Sequence, residues 1–271
     1  MMRSLWTAAS GMKTQQTAVD VISNNLANVN TNGFKTESAE FKSLLYQMIQ
    51  SKTTTANMEQ KPVGAQIGLG VRNSSVTSKF TQGRLTQTEN DFDFGINGKG
   101  FFQVRGTDGE TYYTRNGAFN ISIATNGTML TDFQGNPVLD TNGKAIVFDS
   151  SLDTAKIVAT TTGELCYIGE DGNPKSMGIK IGLVQFPNPA GLEKLGSGLY
   201  KVTDASGKAQ SEATTPNLKK SELKQGYIEG SNVQVVDEMV NLIVSQRAYE
   251  MNSKAIQASD DMLSQANNLK R

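Results

Sequence analysis

The sequence predicts an α+β protein whose N- and C-terminal α-helices pair as a coiled coil and enclose a β-rich central region of short antiparallel strands. Apolar residues recur every seven positions at both ends of the chain, and this repeat keeps one line of side chains facing a partner helix. Between the ends, short β-branched and aromatic runs alternate with Asn-Gly and Asp-Gly dipeptides, which favour tight hairpin turns.

The first helix is predicted over about residues 3 to 29. Two lines of side chains run along it at seven-residue spacing: Leu5, Met12, Val19 and Leu26, and then Ala8, Gln15, Ile22 and Val29. Gly11 weakens this helix by about 1 kcal/mol relative to alanine. The end is marked by asparagines and by Gly33, which favours a left-handed turn.

Two further segments follow the first helix. Residues 34–49 are predicted to be weakly helical, from the spacing of Phe41, Leu44, Leu45 and Met48. Residues 51–70 contain Pro62 and several glycines among polar residues, a composition typical of an extended loop or bridging arm.

From residue 71 to about residue 200 the pattern predicts antiparallel β structure. The candidate turns are Asn97-Gly98, Asp108-Gly109, Asn116-Gly117, Asn126-Gly127, Asn142-Gly143 and Asp171-Gly172. The candidate strands include Phe101–Val104, Tyr112–Thr114, Phe119–Ile121 and Ile181–Phe186.

The last helix is predicted from near Asn232 to Leu269. Its seven-residue line is Val235, Leu242, Tyr249, Ile256 and Leu263. Acidic residues in the opening turns, Asp237 and Glu238, and the basic Lys270 and Arg271 at the end match the helix dipole. Gln246, Tyr249 and Ser253 share one face, and Arg247 can pair with Glu250.

The composition excludes several functional classes. The chain of 271 residues has 26 basic and 26 acidic residues, so nothing favours nucleic acid as a partner. Histidine is absent and Cys166 is the single cysteine, which removes the commonest metal ligands and any intramolecular disulfide. We expect no cofactor, no metal, a buried Cys166, no membrane-embedded segment and no cleavable signal peptide.

Two motifs invite an enzymatic interpretation, and the residues favour neither. The run Gly95–Gly100 resembles a phosphate loop, but it lacks the Gly-Lys-Ser/Thr ending and a strand follows it. The carboxylates Asp91, Asp93, Asp108 and Glu110 could form a glycosidase pair, although acidic residues beside turns are common. Arg115 is interpreted as a strand-end residue, and we expect no enzymatic activity.

The asparagine-rich run Ser23–Lys35 is open to two interpretations. Asparagine is a poor mid-helix residue because its amide competes with the backbone, so this run indicates amide contacts to a neighbouring subunit or to loop backbone. A capped helix end followed by a turn explains the same residues. We also expect both ends of the chain to be largely unstructured in the free subunit, because one partner helix buries too little apolar surface to order them.

Three motifs together resemble one family. The N-terminal run Arg3–Trp6, Gly11-Met12, Gln15-Gln16 and Ser23–Lys35 is similar to the signature of bacterial flagellar rod and hook proteins. Gly98–Val104 with Tyr113–Phe119 resembles their middle motif, and Gly226–Val233 with Glu238–Ile243 and Gln246–Lys254 resembles their C-terminal signature. Within this family of basal-body rod proteins, length and the segment after Gln47 are most similar to the distal rod group.

The resemblance implies a structural role. Copies of the chain would stack helically into a hollow, rigid shaft that transmits torque from the motor to the hook, with other rod and hook proteins as partners. It also implies passage through the flagellar type III export machinery with an uncleaved N-terminus, a location in the basal body, and a role in motility. The expected assembly residues are Leu5, Met12, Val19, Ile22, Asn24, Asn25, Leu26, Asn28, Val29, Gly33, Phe34, Val235, Leu242, Gln246, Arg247, Tyr249, Asn252, Ile256 and Leu263.

We expect three regions in the chain. Residues 1–34 and 229–271 form the helical assembly domain, residues 35–92 and 200–228 form a connecting arm and linker with β elements, and residues 93–199 form an outer β-rich domain. The alternatives are a proximal rod or hook-type axial protein, and a non-flagellar surface fibre subunit. A fibre subunit would also self-assemble, but it would lie on the cell surface and not in the basal body.

Overall fold

A computed structural model describes residues 2–50, 65–124, 127–149, 154–169 and 173–268. The helices in these ranges are α1 (Met2–Ala27) and α2 (Val235–Asn268). The strands are β1 (Glu37–Ser43), β2 (Tyr46–Gln50), β3 (Ala65–Gly68), β4 (Val71–Ser78), β5 (Leu85–Gln87), β6 (Phe94–Asn97), β7 (Phe101–Arg105), β8 (Thr111–Thr114), β9 (Asn120–Ala124), β10 (Gly127–Thr131), β11 (Val147–Phe148), β12 (Ile157–Ala159), β13 (Glu164–Ile168), β14 (Pro174–Lys180), β15 (Leu183–Gln185), β16 (Glu193–Gly196), β17 (Leu199–Lys201), β18 (Gln210–Ser211), β19 (Glu222–Gln225) and β20 (Tyr227–Glu229).

The chain divides into two compact units. The helical unit comprises Met1–Ala27, Glu37–Thr77 and Gln234–Arg271, and the body comprises Asn28–Thr36 and Ser78–Val233. The α+β class, the two terminal helices and the β-rich middle of short antiparallel strands are confirmed. The division into three regions stays a prediction.

In the helical unit, both predicted helices form close to their predicted bounds. α1 ends at Ala27, so Val29 of the second seven-residue line lies in the turn beyond it. α2 carries Asp237 and Glu238 in its first turn, as expected from the helix dipole. The predicted helix-ending residues Leu269, Lys270 and Arg271 lie outside the described residues.

The prediction of a weak helix over residues 34–49 is wrong. Strands β1 and β2 occupy most of this segment, because β1 pairs with β4 and β2 pairs antiparallel with β3. The side chain of Glu40 on β1 accepts hydrogen bonds from Ser75 and Thr77 on β4. Pairing with a distant strand supplies backbone partners that the weak local helical pattern could not, and tertiary context overrides propensity in this way.

The predicted arm at residues 51–70 is described only in part. Residues 51–64 lie outside the described residues, and the last part forms β3, in which Gly68 lies opposite Tyr46 of β2. The side chains of this β2–β3 hairpin are largely exposed, and the apolar ones are Leu45 and Leu69 beside it with Tyr46, Met48, Ile49 and Ile67 within it.

The body is built on a six-stranded sheet of order β16-β17-β8-β7-β15-β18. Two three-stranded sheets, β11-β10-β9 and β12-β13-β14, and the pairs β19-β6 and β20-β5 complete the described β structure. Short strands joined by hairpins keep sequence neighbours together, as in β7 and β8, where Gln103 lies opposite Tyr113.

The core of the body is apolar and rich in aromatic rings. Phe102 and Phe119 are fully buried and stack edge-to-face with ring centroids 5.0 Å apart. A second cluster gathers Phe101, Tyr113 and Phe186 around the other face of β7. Cys166 is buried, as expected of a small apolar side chain.

The predicted turn glycines behave in two ways. Gly98, Gly109 and Gly143 have positive φ angles, as hairpin glycines do. Gly117 does not, and it is required for a different reason: a Cβ atom there would collide with the carbonyl oxygen of Phe94. Asn126 and the dipeptide Asp171-Gly172 lie outside the described residues.

Candidate assembly interface

Helices α1 and α2 run antiparallel and meet along small and polar side chains. The Oγ atoms of Ser4 and Ser259 are 3.1 Å apart, and at the opposite end Asn25 Nδ2 donates to Glu238 Oε2 over 3.2 Å. A Cβ atom on Gly11 would lie 2.9 Å from Asn252 Nδ2, so this glycine permits close approach.

These contacts define one constant register, because the residue numbers rise by seven along α1 as they fall by seven along α2. We call this set the polar seam; it consists of Ser4, Gly11, Ala18 and Asn25 on α1 and of Glu238, Ser245, Asn252 and Ser259 on α2. Ala18 and Ser245, which this register places opposite each other, are both buried. The residues of these contacts are thus spaced by multiples of seven on both helices, and they are not the apolar lines that the sequence predicted.

Asn25 ties the end of α1 to the start of β1. Its side chain is 1% exposed, its Nδ2 donates to the carbonyl oxygen of Glu37 over 2.8 Å, and its Oδ1 accepts from the Glu37 amide over 2.9 Å. The amide group therefore pairs with both backbone groups of Glu37, as a neighbouring strand would. This contact matches the interpretation of the asparagine run as making amide contacts to backbone.

The predicted apolar lines flank the polar seam. Of the predicted assembly residues, Ile22, Asn25 and Gly33 are buried; Asn24, Val235, Gln246, Arg247 and Tyr249 are exposed; the half-buried ones are Leu5, Met12, Val19, Leu26, Asn28, Val29, Phe34, Leu242, Asn252, Ile256 and Leu263. Asn28, Val29, Gly33 and Phe34 belong to the body, and the remaining residues belong to the helical unit.

The first half of α2 carries large apolar side chains on the face opposite the polar seam. At 100° per residue, this face groups Val236, Val240, Ile243, Val244 and Met251, which are 74%, 53%, 56%, 61% and 65% exposed. Arg247 lies among them and pairs with Glu250 over 3.3 Å, as predicted. We call these five apolar residues the outer apolar face. An amphipathic helix normally turns such a face toward its partner, and here it faces away from α1.

A groove of about 420 Å³ lies beside the seam between the two helices. Its lining residues are Gln16, Val19, Gln246, Tyr249 and Glu250, so three of the predicted assembly residues share one concave surface. The groove is open to solvent, and its lining combines the apolar surface of Val19 and Tyr249 with amide and carboxylate groups.

The body contains a buried cluster of three charged side chains that the sequence did not predict. Lys35 Nζ lies 2.7 Å from Glu229 Oε1, and Arg115 Nε lies 2.9 Å from Glu229 Oε2 without the alignment of a hydrogen bond. Arg115 Nη2 does donate to Glu229 Oε1 over 3.2 Å. The side chains of Lys35 and Glu229 are 0% exposed and that of Arg115 is 3% exposed.

Backbone groups complete this cluster. Lys35 Nζ donates to the carbonyl oxygen of Thr81 over 2.8 Å, and the amide of Gly83 donates to Glu229 Oε1 over 2.8 Å. Burial, and after it the charge of Arg115, hold the pKa of Lys35 below its usual value, while Glu229 opposes that shift. Two cations share one anion, so the carboxylate of Glu229 is the group on which the cluster depends.

Gly33 borders the same cluster. Its φ is +70°, as the sequence predicted for a left-handed turn, and its amide donates to the carbonyl oxygen of Glu229 over 2.8 Å. A Cβ atom at this position would lie 2.8 Å from the backbone carbon of Arg115. Both the backbone angle and the space therefore require glycine.

The acidic residues that could suggest a glycosidase lie in separate contacts. Asp108 accepts from the hydroxyl of Tyr112, Glu110 pairs with Lys201 over 2.6 Å, and buried Asp93 accepts from Asn90. Among the described residues, no group of three or more acidic or cysteine side chains could hold a metal ion. Of the helices in those ranges, neither is long and apolar enough to span a membrane.

Three sequence families of the flagellum match this chain. The family of flagella basal body rod proteins matches residues 5–35, the D1 domain of the flagellar hook protein FlgE/F/G matches residues 95–173, and the C-terminal family of flagellar basal body rod FlgEFG proteins matches residues 224–269.

Full-length relatives share these regions. The flagellar basal-body rod protein FlgG of Borreliella burgdorferi is 43% identical over 274 residues, covering 100% of both chains. FlgG of Buchnera aphidicola subsp. Schizaphis graminum is 42% identical, covering 99% of this chain and 100% of its own. FlgG of Bacillus subtilis is 36% identical and covers 100% of both chains. The chain belongs to the flagellar basal-body rod protein family.

Each of the three matched regions of this rod protein family contributes one member of the buried charged cluster. Lys35 closes the N-terminal region, Arg115 lies in the D1 region, and Glu229 lies in the C-terminal region. One signal in the sequence could have revealed the cluster: the runs Ser23–Lys35, Tyr113–Phe119 and Gly226–Val233 each contain a single charged residue. The family is structural, and a structural network that joins its three regions fits that role.

Proposed function

We propose that the chain is a structural subunit of the distal rod, which assembles helically with copies of itself into a hollow, rigid shaft between motor and hook. The observation that carries this proposal is the outer apolar face of α2. Burying its five side chains, each already about half to three-quarters exposed, provides about 1–2 kcal/mol apiece, or about 5–10 kcal/mol per subunit.

A second copy of this chain is the occupant that the family favours. Relatives of the same length carry the name of rod proteins, and a rod requires repeated contacts between subunits. The estimated gain is comparable with the free energy lost when two proteins associate. Each subunit therefore needs several neighbours, which a helical lattice provides.

The groove beside the seam offers a complementary surface. Val19 and Tyr249 supply apolar surface, and Gln16, Gln246 and Glu250 supply polar groups. A neighbouring copy could insert an apolar side chain of its outer face there. The predicted assembly residues Val19, Gln246 and Tyr249 would then be contacts between subunits.

The two ends are proposed to fold fully only on assembly. Within one chain, the buried apolar residues of α1 are Ala8, Ala18, Val21 and Ile22, and the buried residues of α2 are all polar. So little apolar burial does not offset the entropy of ordering two helices. Neighbouring copies that cover the outer apolar face would supply the remainder.

The paired strands β2 and β3, together with the arm predicted at residues 51–70, are proposed to lock neighbouring subunits. A two-stranded hairpin is marginally stable alone, and this one exposes Leu45 by 82% and Tyr46 by 64%. Apolar side chains held in that way favour contact with another protein surface. We further propose passage through the flagellar type III export machinery with an uncleaved N-terminus, and contact with other rod and hook proteins, because relatives bear flagellar names.

The test is a substitution on the outer apolar face, Ile243→Asp, compared with Gln257→Asp at an exposed polar position of the same helix. Ile243→Asp is expected to abolish polymer seen by electron microscopy and motility in a complemented strain, while the near-UV circular dichroism of the body is unchanged. Val19→Asp and Leu26→Asp are expected to have the same effect. Normal polymer and normal motility with Ile243→Asp would overturn the proposal.

A further inference from the structure

Asn-Gly dipeptides in the body are places where the chain can react with itself. Those within the described residues are Asn32-Gly33, Asn97-Gly98, Asn116-Gly117 and Asn142-Gly143. Asparagine before glycine is labile, because the glycine amide nitrogen can bond to the side-chain carbonyl carbon, Cγ, and no side chain obstructs its approach. The new N–C bond closes a five-membered imide, and the side-chain NH2 group leaves with the amide proton as ammonia. Water then opens the imide to aspartate or isoaspartate, so water is the only other reagent.

Three of these dipeptides are protected by their surroundings. Gly33 and Gly117 are buried, which limits the access of water to an imide at either position. The Gly143 amide donates to the carbonyl oxygen of Asp140 over 3.1 Å, and Asn142 Nδ2 donates to the Asp140 carboxylate over 3.3 Å. A carboxylate beside the reacting groups disfavours the negative charge that the attacking nitrogen must carry. Asn142 is therefore held unreactive by a group within its own turn.

The dipeptide Asn97-Gly98 has the opposite electrostatic environment. It borders a cleft of about 770 Å³, and Lys99, Lys219 and Lys220 line the same cleft. Of the described lining residues one is acidic, Glu222, which accepts from Asn97 Nδ2 over 3.2 Å. Three lysines against one glutamate leave the lining positive, and nearby cations favour the deprotonated form of an amide. The Asn97 side chain is exposed, so water reaches it.

One side chain opposes the reaction at this dipeptide. The Gly98 amide donates to Gln82 Oε1 over 2.9 Å, and Gln82 Nε2 donates to the carbonyl oxygen of Ile96 over 2.8 Å. The Gln82 side chain thus bridges the backbone on both sides of Asn97. The Gly98 amide must give up its bond to Gln82 before its nitrogen can lose the proton and turn toward Asn97 Cγ.

We propose that Asn97 is a latent site of deamidation, and that Gln82 is the positioning residue that keeps it unmodified. The register of β6 and β19 places Asn97 opposite Glu222, so an aspartate there would set two negative charges against each other. Isoaspartate would add one backbone atom immediately before Gly98, whose carbonyl oxygen accepts from Arg115 Nη1 over 2.9 Å. The modification would therefore disturb a contact of the buried charged cluster. All of these residues belong to the body, so the inference depends neither on the helices nor on assembly.

The experiment is ageing of purified full-length subunit at mildly alkaline pH, followed by peptide mass spectrometry. The mass gain on replacement of NH2 by OH gives the rate at each asparagine, and chromatography separates the isoaspartate product. Gln82→Leu keeps the bulk of the side chain and removes the acceptor. It is expected to raise the rate at Asn97 about fivefold relative to Asn142 in the same molecule. This factor corresponds to the net contribution of one neutral hydrogen bond, about 1 kcal/mol.

Gln82→Glu separates protection of the Gly98 amide from general loosening of the chain. Its carboxylate can still accept from Gly98 but cannot donate to Ile96, so the rate at Asn97 is expected to stay within about twofold of the parent. An equal acceleration in Gln82→Glu and Gln82→Leu would overturn the proposal.

Gln225→Ala is the matched control, because Gln225 lies on β19 and its side-chain amide also bonds to backbone groups of the body, those of Asp91, Ile157 and Ala159. It is expected to leave the ratio of the two rates unchanged. An unchanged rate at Asn97 in Gln82→Leu, or the same increase at Asn142 as at Asn97, would likewise refute the assignment to Gln82.

Discussion

Removal of the Glu229 carboxylate should destabilise the body more than any other single loss of charge in the described residues. Glu229→Ala leaves Lys35 and Arg115 facing each other in a site from which water is excluded, with side-chain exposures of 0% and 3%. Removing one partner of a buried ion pair typically lowers the free energy of unfolding by about 3–5 kcal/mol, because the other charge is left buried without a counter-charge. We expect the free energy of unfolding of the body to fall by that amount.

The measurement is urea denaturation followed by near-UV circular dichroism, which reports the tyrosines and phenylalanines packed in the body. The single tryptophan, Trp6, lies in α1 and is 74% exposed, so it does not belong to the packed core of the body. Glu222→Ala is the control: Glu222 is exposed, accepts a hydrogen bond from Asn97, and should change stability by no more than about 0.5 kcal/mol.

The same cluster predicts a pH dependence with a definite sign. Since the pKa of Lys35 is lowered in the folded body from its usual 10.5, the unfolded chain binds more protons than the folded chain at pH values between the folded and the unfolded pKa. The stability of the body relative to Lys35→Met should therefore rise as the pH increases toward 10.5. A loss below about 1 kcal/mol in Glu229→Ala, together with parallel pH profiles for the parent and Lys35→Met, would refute the reasoning.

Three further predictions concern the backbone and the assembly. Gly33→Ala should lower the free energy of unfolding of the body by about 2–4 kcal/mol, because the added Cβ meets Arg115. Gly109→Ala, where φ is +78° and nothing crowds the Cβ, should lower it by only about 1 kcal/mol. Equal losses in urea denaturation would contradict the crowding at Arg115. Deleting the predicted arm, residues 51–70, should give a more bendable polymer by electron microscopy, and an unchanged straight rod would count against the proposed lock. Far-UV circular dichroism of dilute subunit should show less helix than assembled polymer; full helicity before assembly would defeat folding on assembly.

The elements of this fold follow from the sequence where a pattern is long. Both terminal helices were predicted to within a few residues because seven-residue repeats persist over each of them. The hairpin glycines at Gly98, Gly109 and Gly143 were predictable because Asn-Gly and Asp-Gly pairs accept positive φ. The helix predicted over residues 34–49 does not form, because this segment pairs with distant strands and a local periodicity cannot reveal such partners.

The helix contacts could be predicted only in part. The repeat of seven is present, but the polar seam lies one residue before the predicted apolar line on α1 and three residues after it on α2. Apolar residues were assumed to face the partner helix within the chain, whereas α2 turns Val240 and Ile243 away from α1. The buried cluster of Lys35, Arg115 and Glu229 was missed because its members are far apart in sequence and each resembles an ordinary surface charge.

The polar seam pairs positions seven residues apart on α1 with positions seven residues apart on α2, and this limits which insertions and deletions the two helices tolerate. Inserting or removing one residue between Asn25 and Gly11 would rotate the remainder of α1 by about 100° and separate Gly11 from Asn252. A change of seven residues in both helices together would preserve every pairing. Insertions and deletions inside these helices are therefore expected in paired blocks of about two turns, and single-residue differences among relatives are expected in the loops.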